Sequence, residues 1–287
     1  MIGMKELGEK SAQWGVPSAT VDKDWVLGHF LNGIYVNDFL RNCLAFKGGT
    51  CLKKLYFADY RFSEDLDFTI LNVADFQTIK RELERVGKDI YQETGISFGP
   101  VQPKDLHFQD HLMGYKFQIP FWGAKHPTGK RVDPARWTTK IKIDITIQEI
   151  LAMPVVIKKI IHLYSDKNVI QAEVKGYSIE EIYAEKLRAL THRSYGAPRD
   201  YYDLWAISGL YARKVNWEAI PSLFATKCSD KKSFTGIELF FPRERIEKVK
   251  RAWEASLGNH MKVLPDVNTV LVELKEKIGT IFGAETL

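Results

Sequence analysis

The sequence predicts an α+β protein: a mixed-sheet domain over residues 1–170 followed by a helical domain over residues 171–287. Three observations predict it. Stretches that alternate apolar and polar residues, the mark of half-buried strands, fall in the first part, at Phe62–Ile70 and Thr139–Ile147. Helical spacing, with apolar residues three or four apart, surrounds them. After about residue 170 the helical period takes over, in Ser178–Ala189, Asp200–Leu210, Arg243–Leu257 and Asp266–Phe282.

Element by element, Val26, Leu27, Phe30, Leu31, Ile34 and Phe39 predict one amphipathic helix over Val21–Leu40. Leu44–Lys47 is a short apolar strand ended by Gly48-Gly49, after which Leu52, Leu55 and Tyr56 resume helical spacing. Phe62–Ile70 is a strand and Ile79–Tyr91 a charged surface helix. A long irregular section follows, with hairpin-like segments around Tyr115–Phe121 and Thr139–Ile147. Ser178 followed by Glu181 is a capping box, which fixes a helix start. In the last helix Val267, Val270, Leu271, Leu274, Ile278, Ile281 and Phe282 form one core-facing stripe.

The 287 residues are 45% hydrophobic and 27% charged, which excludes a globally disordered chain. The longest apolar run, Ile150–Ile157, is broken by Pro154 and falls far short of the roughly 20 residues a bilayer requires. Met1–Gly15 lacks the apolar stretch of a secretory signal. Cys43, Cys51 and Cys228 fit neither a disulfide framework nor a four-ligand zinc site. A cytoplasmic protein without membrane partners is therefore expected. The net charge of +5 is compatible with nucleic acid without requiring it.

The informative segment is Phe46-Lys47-Gly48-Gly49-Thr50, then eleven residues, then Phe62-Ser63-Glu64-Asp65-Leu66-Asp67-Phe68. Residues two apart in a strand share a face, so Asp65, Asp67 and Thr69 point one way while Leu66, Phe68 and Ile70 point into the core. Two carboxylates ~7 Å apart on one face repel unless a cation sits between them. A hard divalent ion, Mg²⁺ or Mn²⁺, suits oxygen ligands of this kind. In Lys140–Ile147 four isoleucines occupy one face, and Lys140, Lys142, Asp144 and Thr146 the other. If the two strands are neighbours, Asp144 joins Asp65 and Asp67 in a three-carboxylate site able to hold two metals. The Gly48-Gly49-Thr50 turn before a helix offers backbone N–H groups and a hydroxyl to a phosphate tail. A lone Gly-Gly is ordinarily a turn, and a lone Asp-Leu-Asp a solvated half-strand. Their order, their separation and the third aspartate favour a site.

These residues carry a resemblance. Gly48-Gly49, a spacer, Asp65-Leu66-Asp67 and a later Asp144 between isoleucines resemble the signature of the DNA polymerase β-like nucleotidyltransferase superfamily. The fuller string, from Phe46 to Thr50 and from Arg61 to Phe68, resembles the AbiEii/AbiGii-type nucleotidyltransferases, toxins of type IV toxin–antitoxin and abortive-infection systems. A polymerase β-like N-terminal fold is thereby implied.

A second block supports this. On the Ser178 helix, Lys186 lies four residues from Ile182 and from Leu190, within the apolar stripe. Such a lysine either snorkels along the helix edge or reaches a phosphate or the attacking oxygen. Pro198–Trp205 opens the next helix, where Asp200 and Asp203 are expected from the helix dipole alone, with Arg193 or Arg199 as ion-pair partner. Yet Glu185–Leu190 followed by Arg199–Leu204 resembles the second conserved block of the same toxins, in which a lysine and an aspartate complete the active site. The resemblance covers roughly residues 20–210 and leaves open whether Asp200 or Asp203 faces the nucleotide.

The expected activity is a nucleotidyltransferase that moves NMP from an NTP to an acceptor hydroxyl and releases pyrophosphate. Asp65, Asp67 and Asp144 would hold Mg²⁺ or Mn²⁺, with Lys186, Asp200 and Asp203 completing the catalytic set. Gly48, Gly49, Thr50, Arg61 and Ser63 would bind the nucleotide. The resemblance implies the 3′ end of tRNA as acceptor and an AbiEi-like antitoxin as partner. A non-catalytic NTP-binding protein that sequesters a partner, and an enzyme that nucleotidylates protein, are the alternatives. The aromatic-rich basic stretch Trp122–Lys142 suits an RNA end, or is a solvated hairpin. The basic residues of Arg243–Arg251 read as a solvated helix face. His107 and His111, at a helical i,i+4 spacing, have no third zinc ligand nearby.

Overall fold

The computed structural model describes residues 2–108, 111–125, 133–193, 195–228 and 236–283. The chain divides into two compact units: Met1–Glu149 with Val155–Tyr177, and Ile150–Pro154 with Ser178–Leu287.

The first unit opens with α1 (Met4–Trp14), α2 (Ser18–Val36) and α3 (Asp38–Cys43). The single helix expected over Val21–Leu40 is therefore two. The break falls at Asn37, whose side-chain oxygen accepts the N–H groups of Phe39 and Leu40, both at 3.0 Å, and so caps α3. Then come β1 (Leu44–Lys47), α4 (Gly48–Cys51, prolonged by a π-turn to Tyr56), β2 (Asp65–Ile70) and α5 (Phe76–Thr94). Six strands complete the unit: β3 (Ser97–Phe98), β4 (Gln102–Phe108), β5 (His111–Trp122), β6 (Lys140–Thr146), β7 (Val156–Lys159) and β8 (Glu173–Gly176).

Among the described residues these strands form one mixed sheet in the order β3-β5-β6-β2-β1-β8-β7, with β4 also paired to β5. The β2/β6 and β1/β8 pairs are parallel and the others antiparallel. The section expected to be irregular is largely β4 and β5. Its Pro103 lies on β4, which among the described residues pairs with β5 alone, and a proline without a ladder donor is tolerated on such an edge.

Register sorts the two faces. Phe46, Phe68, Ile145 and Tyr115 lie abreast across β1, β2, β6 and β5, and Leu66, Ile143 and Phe117 form the next apolar row. Phe76 of α5 stacks on Phe117 with ring centroids 5.4 Å apart, and Phe30 of α2 meets Phe98 at 5.3 Å. Both helices thus cover the apolar face. Because α2 is buried nearly all round, it can tie strands together: the Tyr35 hydroxyl donates to the carbonyls of Leu44 (3.0 Å) and Lys175 (2.8 Å), on β1 and β8.

The second unit carries α6 (Ile179–His192), α7 (Pro198–Ser208), α8 (Ile220–Lys227), α9 (Arg243–Leu257) and α10 (Val267–Phe282). The expected cap is present: Ser178 Oγ accepts the Glu181 N–H at 3.1 Å. Pro198 occupies the first turn of α7, where its missing N–H has no intrahelical partner to lose. Val249, Trp253 and Leu257 of α9 are buried, as are Val270, Leu271, Leu274 and Ile278 of the stripe expected on α10, while its end residues Val267, Ile281 and Phe282 are half-buried. No helix among the described residues is long and apolar enough to cross a membrane.

Candidate active site

On the face of the sheet opposite α2 and α5, register assembles a charged row. Lys47 (β1), Asp67 (β2), Asp144 (β6) and Lys116 (β5) lie abreast on four consecutive strands. Asp65 stands two residues before Asp67, abreast of Lys142. Neighbouring strands are ~4.8 Å apart and cross-strand partners share a face, so the three aspartates form one cluster. Strand alternation carries Asp65, Asp67 and Asp144 because Leu66, Phe68, Ile143 and Ile145 are claimed by the core.

Gly48 lets the turn approach this cluster. Its φ is +80°, and a Cβ there would lie 2.3 Å from Asp67 Oδ2. Only glycine supplies both the left-handed conformation and the space. At Gly49 a Cβ would meet Arg61 Nη2 at 2.7 Å and Ser63 Oγ at 3.2 Å, so these two side chains border the same turn. Arg61 is buried and donates from Nη1 to the Phe62 carbonyl at 3.1 Å. Thr50 is fully buried and its hydroxyl donates to the Asp65 carbonyl at 2.5 Å, tying α4 to the start of β2.

The cluster's chemistry fits a divalent cation. It presents three carboxylates on one face, and Asp65 Oδ1 is buried without a hydrogen-bond partner. Two lysines stand nearby: Lys116 Nζ is 3.0 Å from Asp144 Oδ2, and Lys142 Nζ is 3.8 Å from Asp65 Oδ1. Both lysines are substantially exposed, and exposed pairs of this kind are weak competitors for a hard ion.

A supporting network was not anticipated from the sequence. The buried Lys47 ammonium pairs with Glu149 and donates to Thr146 Oγ1 at 3.1 Å. Glu149 also accepts from Thr69 Oγ1 at 2.8 Å, and the Thr69 and Tyr177 hydroxyls share a 2.6 Å hydrogen bond. These contacts join β1, β2, the end of β6 and the end of β8 directly beside the aspartates. The one sequence signal was that Thr69 shares the alternation of Asp67.

In the helical unit, Lys186, Asp200 and Asp203 form their own buried cluster. Lys186 Nζ lies 2.9 Å from Asp200 Oδ1 and 2.6 Å from Asp203 Oδ2, and Arg193 pairs with the other Asp200 oxygen. Asp203 is wholly inaccessible. Both aspartates thus hold the one lysine. Arg199, the other candidate partner, instead donates to the Ser256 carbonyl at 3.2 Å and lies 2.9 Å from His260 Nε2.

Within the aromatic-rich basic stretch, Trp122 and Trp137 pack with centroids 5.5 Å apart; Lys130 and Arg131 lie outside the described residues. His107 and His111 sit on β4 and β5, so a helical i,i+4 pair does not exist; their side chains lie outside the described residues. Cys43, Cys51 and Cys228 are buried, and none is in a disulfide among the described residues.

Comparison with known proteins places the chain by sequence and by fold. The family model of the AbiEii nucleotidyl transferase toxin of type IV toxin–antitoxin systems matches residues 29–277. No curated protein matches in sequence. Among solved structures, the MenT4 nucleotidyltransferase toxin of Mycobacterium tuberculosis is similar in fold, with a TM-score of 0.65 at 16% identity over 100% of this chain and 91% of that one.

Proposed function

The chain belongs to the AbiEii family of nucleotidyltransferase toxins, and on that premise we propose that it transfers NMP from an NTP to the 3′-terminal hydroxyl of an RNA, tRNA being the expected acceptor. The observation that carries this reading is the alignment of Asp67 with Asp144 on parallel strands, with Asp65 on the same face and Gly48 against Asp67.

The acceptor oxygen attacks the α-phosphorus in line, the bond from phosphorus to the bridging oxygen breaks, and pyrophosphate leaves. Asp144 orients the acceptor hydroxyl and takes its proton. The backbone N–H groups of Gly48 and Gly49, with Arg61 and Ser63, hold the triphosphate, and Thr50 keeps that turn fixed against β2. Asp65, Asp67 and Asp144 would hold Mg²⁺ or Mn²⁺, which supplies charge neutralisation at the transferring phosphoryl group. Lys186, held by Asp200 and Asp203, is assigned by the family motif to neutralise phosphate charge. Positioning and electrostatics account for most of the acceleration in such transfers. As in the family at large, a protein antitoxin is the expected partner, and the cytoplasm, where NTPs and tRNA coexist, the expected compartment.

The test is incubation of the purified protein with each α-labelled NTP, total tRNA and Mg²⁺ or Mn²⁺. Label that migrates with RNA supports the proposal. Label on polypeptide makes the enzyme a protein nucleotidylase, and NTP binding without transfer makes it a sequestering protein.

A further inference from the structure

Away from the aspartate row, in the same unit, a second set of metal-competent side chains is buried under α2. His29 Nε2 lies 3.1 Å from Asp166 Oδ2, and His162 Nε2 lies 3.1 Å from Asp166 Oδ1. All three ligand atoms lie within 4.8 Å of one another. Four-coordinate zinc with nitrogen and oxygen ligands at ~2.0–2.1 Å has ligand-to-ligand edges of roughly 3.3 Å, close to the two histidine-to-carboxylate distances of 3.1 Å. Trp25 Nε1 donates to Asp166 Oδ2 at 3.0 Å, an outer hydrogen bond of the kind that orients a ligating carboxylate.

A second observation concerns access. His29 also lines a pocket of about 460 Å³ between α2, α3 and α5. Asp38, Glu82, Asp89 and Glu93 line it together with Arg85; Arg85 pairs with Glu82 and Asp89 and Arg41 with Asp38, in exposed ion pairs that leave the wall acidic on balance. A concave wall of this sign concentrates cations. His29 is thus the residue shared by the cluster and this pocket.

We propose that His29, His162 and Asp166 form a structural zinc site, with water from the acidic pocket as the fourth ligand. It is separate from the aspartate row in donor chemistry, since imidazole nitrogen favours zinc where three carboxylates favour magnesium or manganese. The site would clip α2 to the segment that runs between β7 and β8, residues distant in sequence. Closing so long a loop limits the unfolded chain, so zinc raises stability without entering the reaction.

The test uses the full chain, freed of metal by chelator and dialysis, and titrated with Co²⁺ and Zn²⁺ in excess Mg²⁺. The expected result is one equivalent of cobalt with the strong visible absorption of a four-coordinate, imidazole-bound ion, displaced by zinc, and a higher melting temperature with zinc. His29→Gln with His162→Gln keeps amide donors for Asp166 but should abolish the absorption and the zinc-dependent shift. Asp67→Asn should leave both intact. No visible absorption and no zinc-dependent shift in the wild-type chain would overturn the site, as would full retention of both in the double glutamine variant. Neither outcome bears on nucleotide transfer.

Discussion

The α-carbon of Gly48 lies so close to the carboxylate of Asp67 that a methyl group on it would come within 2.3 Å of Oδ2. The turn that offers backbone N–H groups and the strand that offers carboxylates are thus in contact through a residue with no side chain. Gly48→Ala must move one or the other, and its φ of +80° adds backbone strain. The expected outcome is a stability loss of ~1–2 kcal/mol and a fall in transfer on the order of 10²-fold, since small misplacements of reacting groups are costly. Denaturant titration and initial-rate assays measure the two.

Lys47 is buried, Glu149 is half-buried, and the two form an ion pair. Lys47→Met takes the ammonium from the Glu149 carboxylate, which keeps the Thr69 hydroxyl as a donor, and should destabilise the unit by about 3 kcal/mol. Lys47→Met with Glu149→Gln should recover much of that loss. A double-mutant cycle by denaturant unfolding gives the coupling.

Lys186 holds two buried carboxylates, so Lys186→Ala should cost ~3–5 kcal/mol of stability. Asp200→Asn should cost less, because Asp203 still pairs with the lysine at 2.6 Å. Transfer measured at equal folded fraction separates support from chemistry: the family motif predicts that Lys186→Ala remains inactive after that correction.

Burial raises the Asp22 carboxyl from 3.8 to about 6, against the opposing hydrogen bond from the Ala124 N–H at 2.8 Å. The folded chain therefore binds this proton more tightly than the unfolded one. Its stabilising contribution is complete below pH 3.8 and lost as pH rises through about 6. Asp22→Asn should flatten stability across that window and, near neutrality, raise it on the order of 2 kcal/mol. Urea midpoints taken across the window measure it.

Sequence pattern carried the parts of the site that lie on regular elements. Asp65, Asp67 and Asp144 were legible because isoleucines, leucine and phenylalanine at alternate positions fixed which face they share, and a one-residue slip would have buried them. Glu149 was not legible: it follows the end of β6 and belongs to no period. Strands β7 and β8 were missed because they are four residues each and β8, on which β7 pairs, is itself placed by a distant partner, lying parallel to β1. The break at Asn37 was missed because the apolar spacing continues across it. His29, His162 and Asp166 left no local signal, since the fold, not the spacing, gathers them.

The pairing of Asp144 with Asp67 across two strands is the claim on which the rest stands, and Asp144→Asn tests it most directly because it removes one charge with little change in shape. With α-labelled NTP, tRNA and magnesium, and with folding checked by the melting transition, the account predicts that the variant transfers at least ~10²-fold less label than wild type. Transfer at wild-type rate by well-folded Asp144→Asn protein would contradict it.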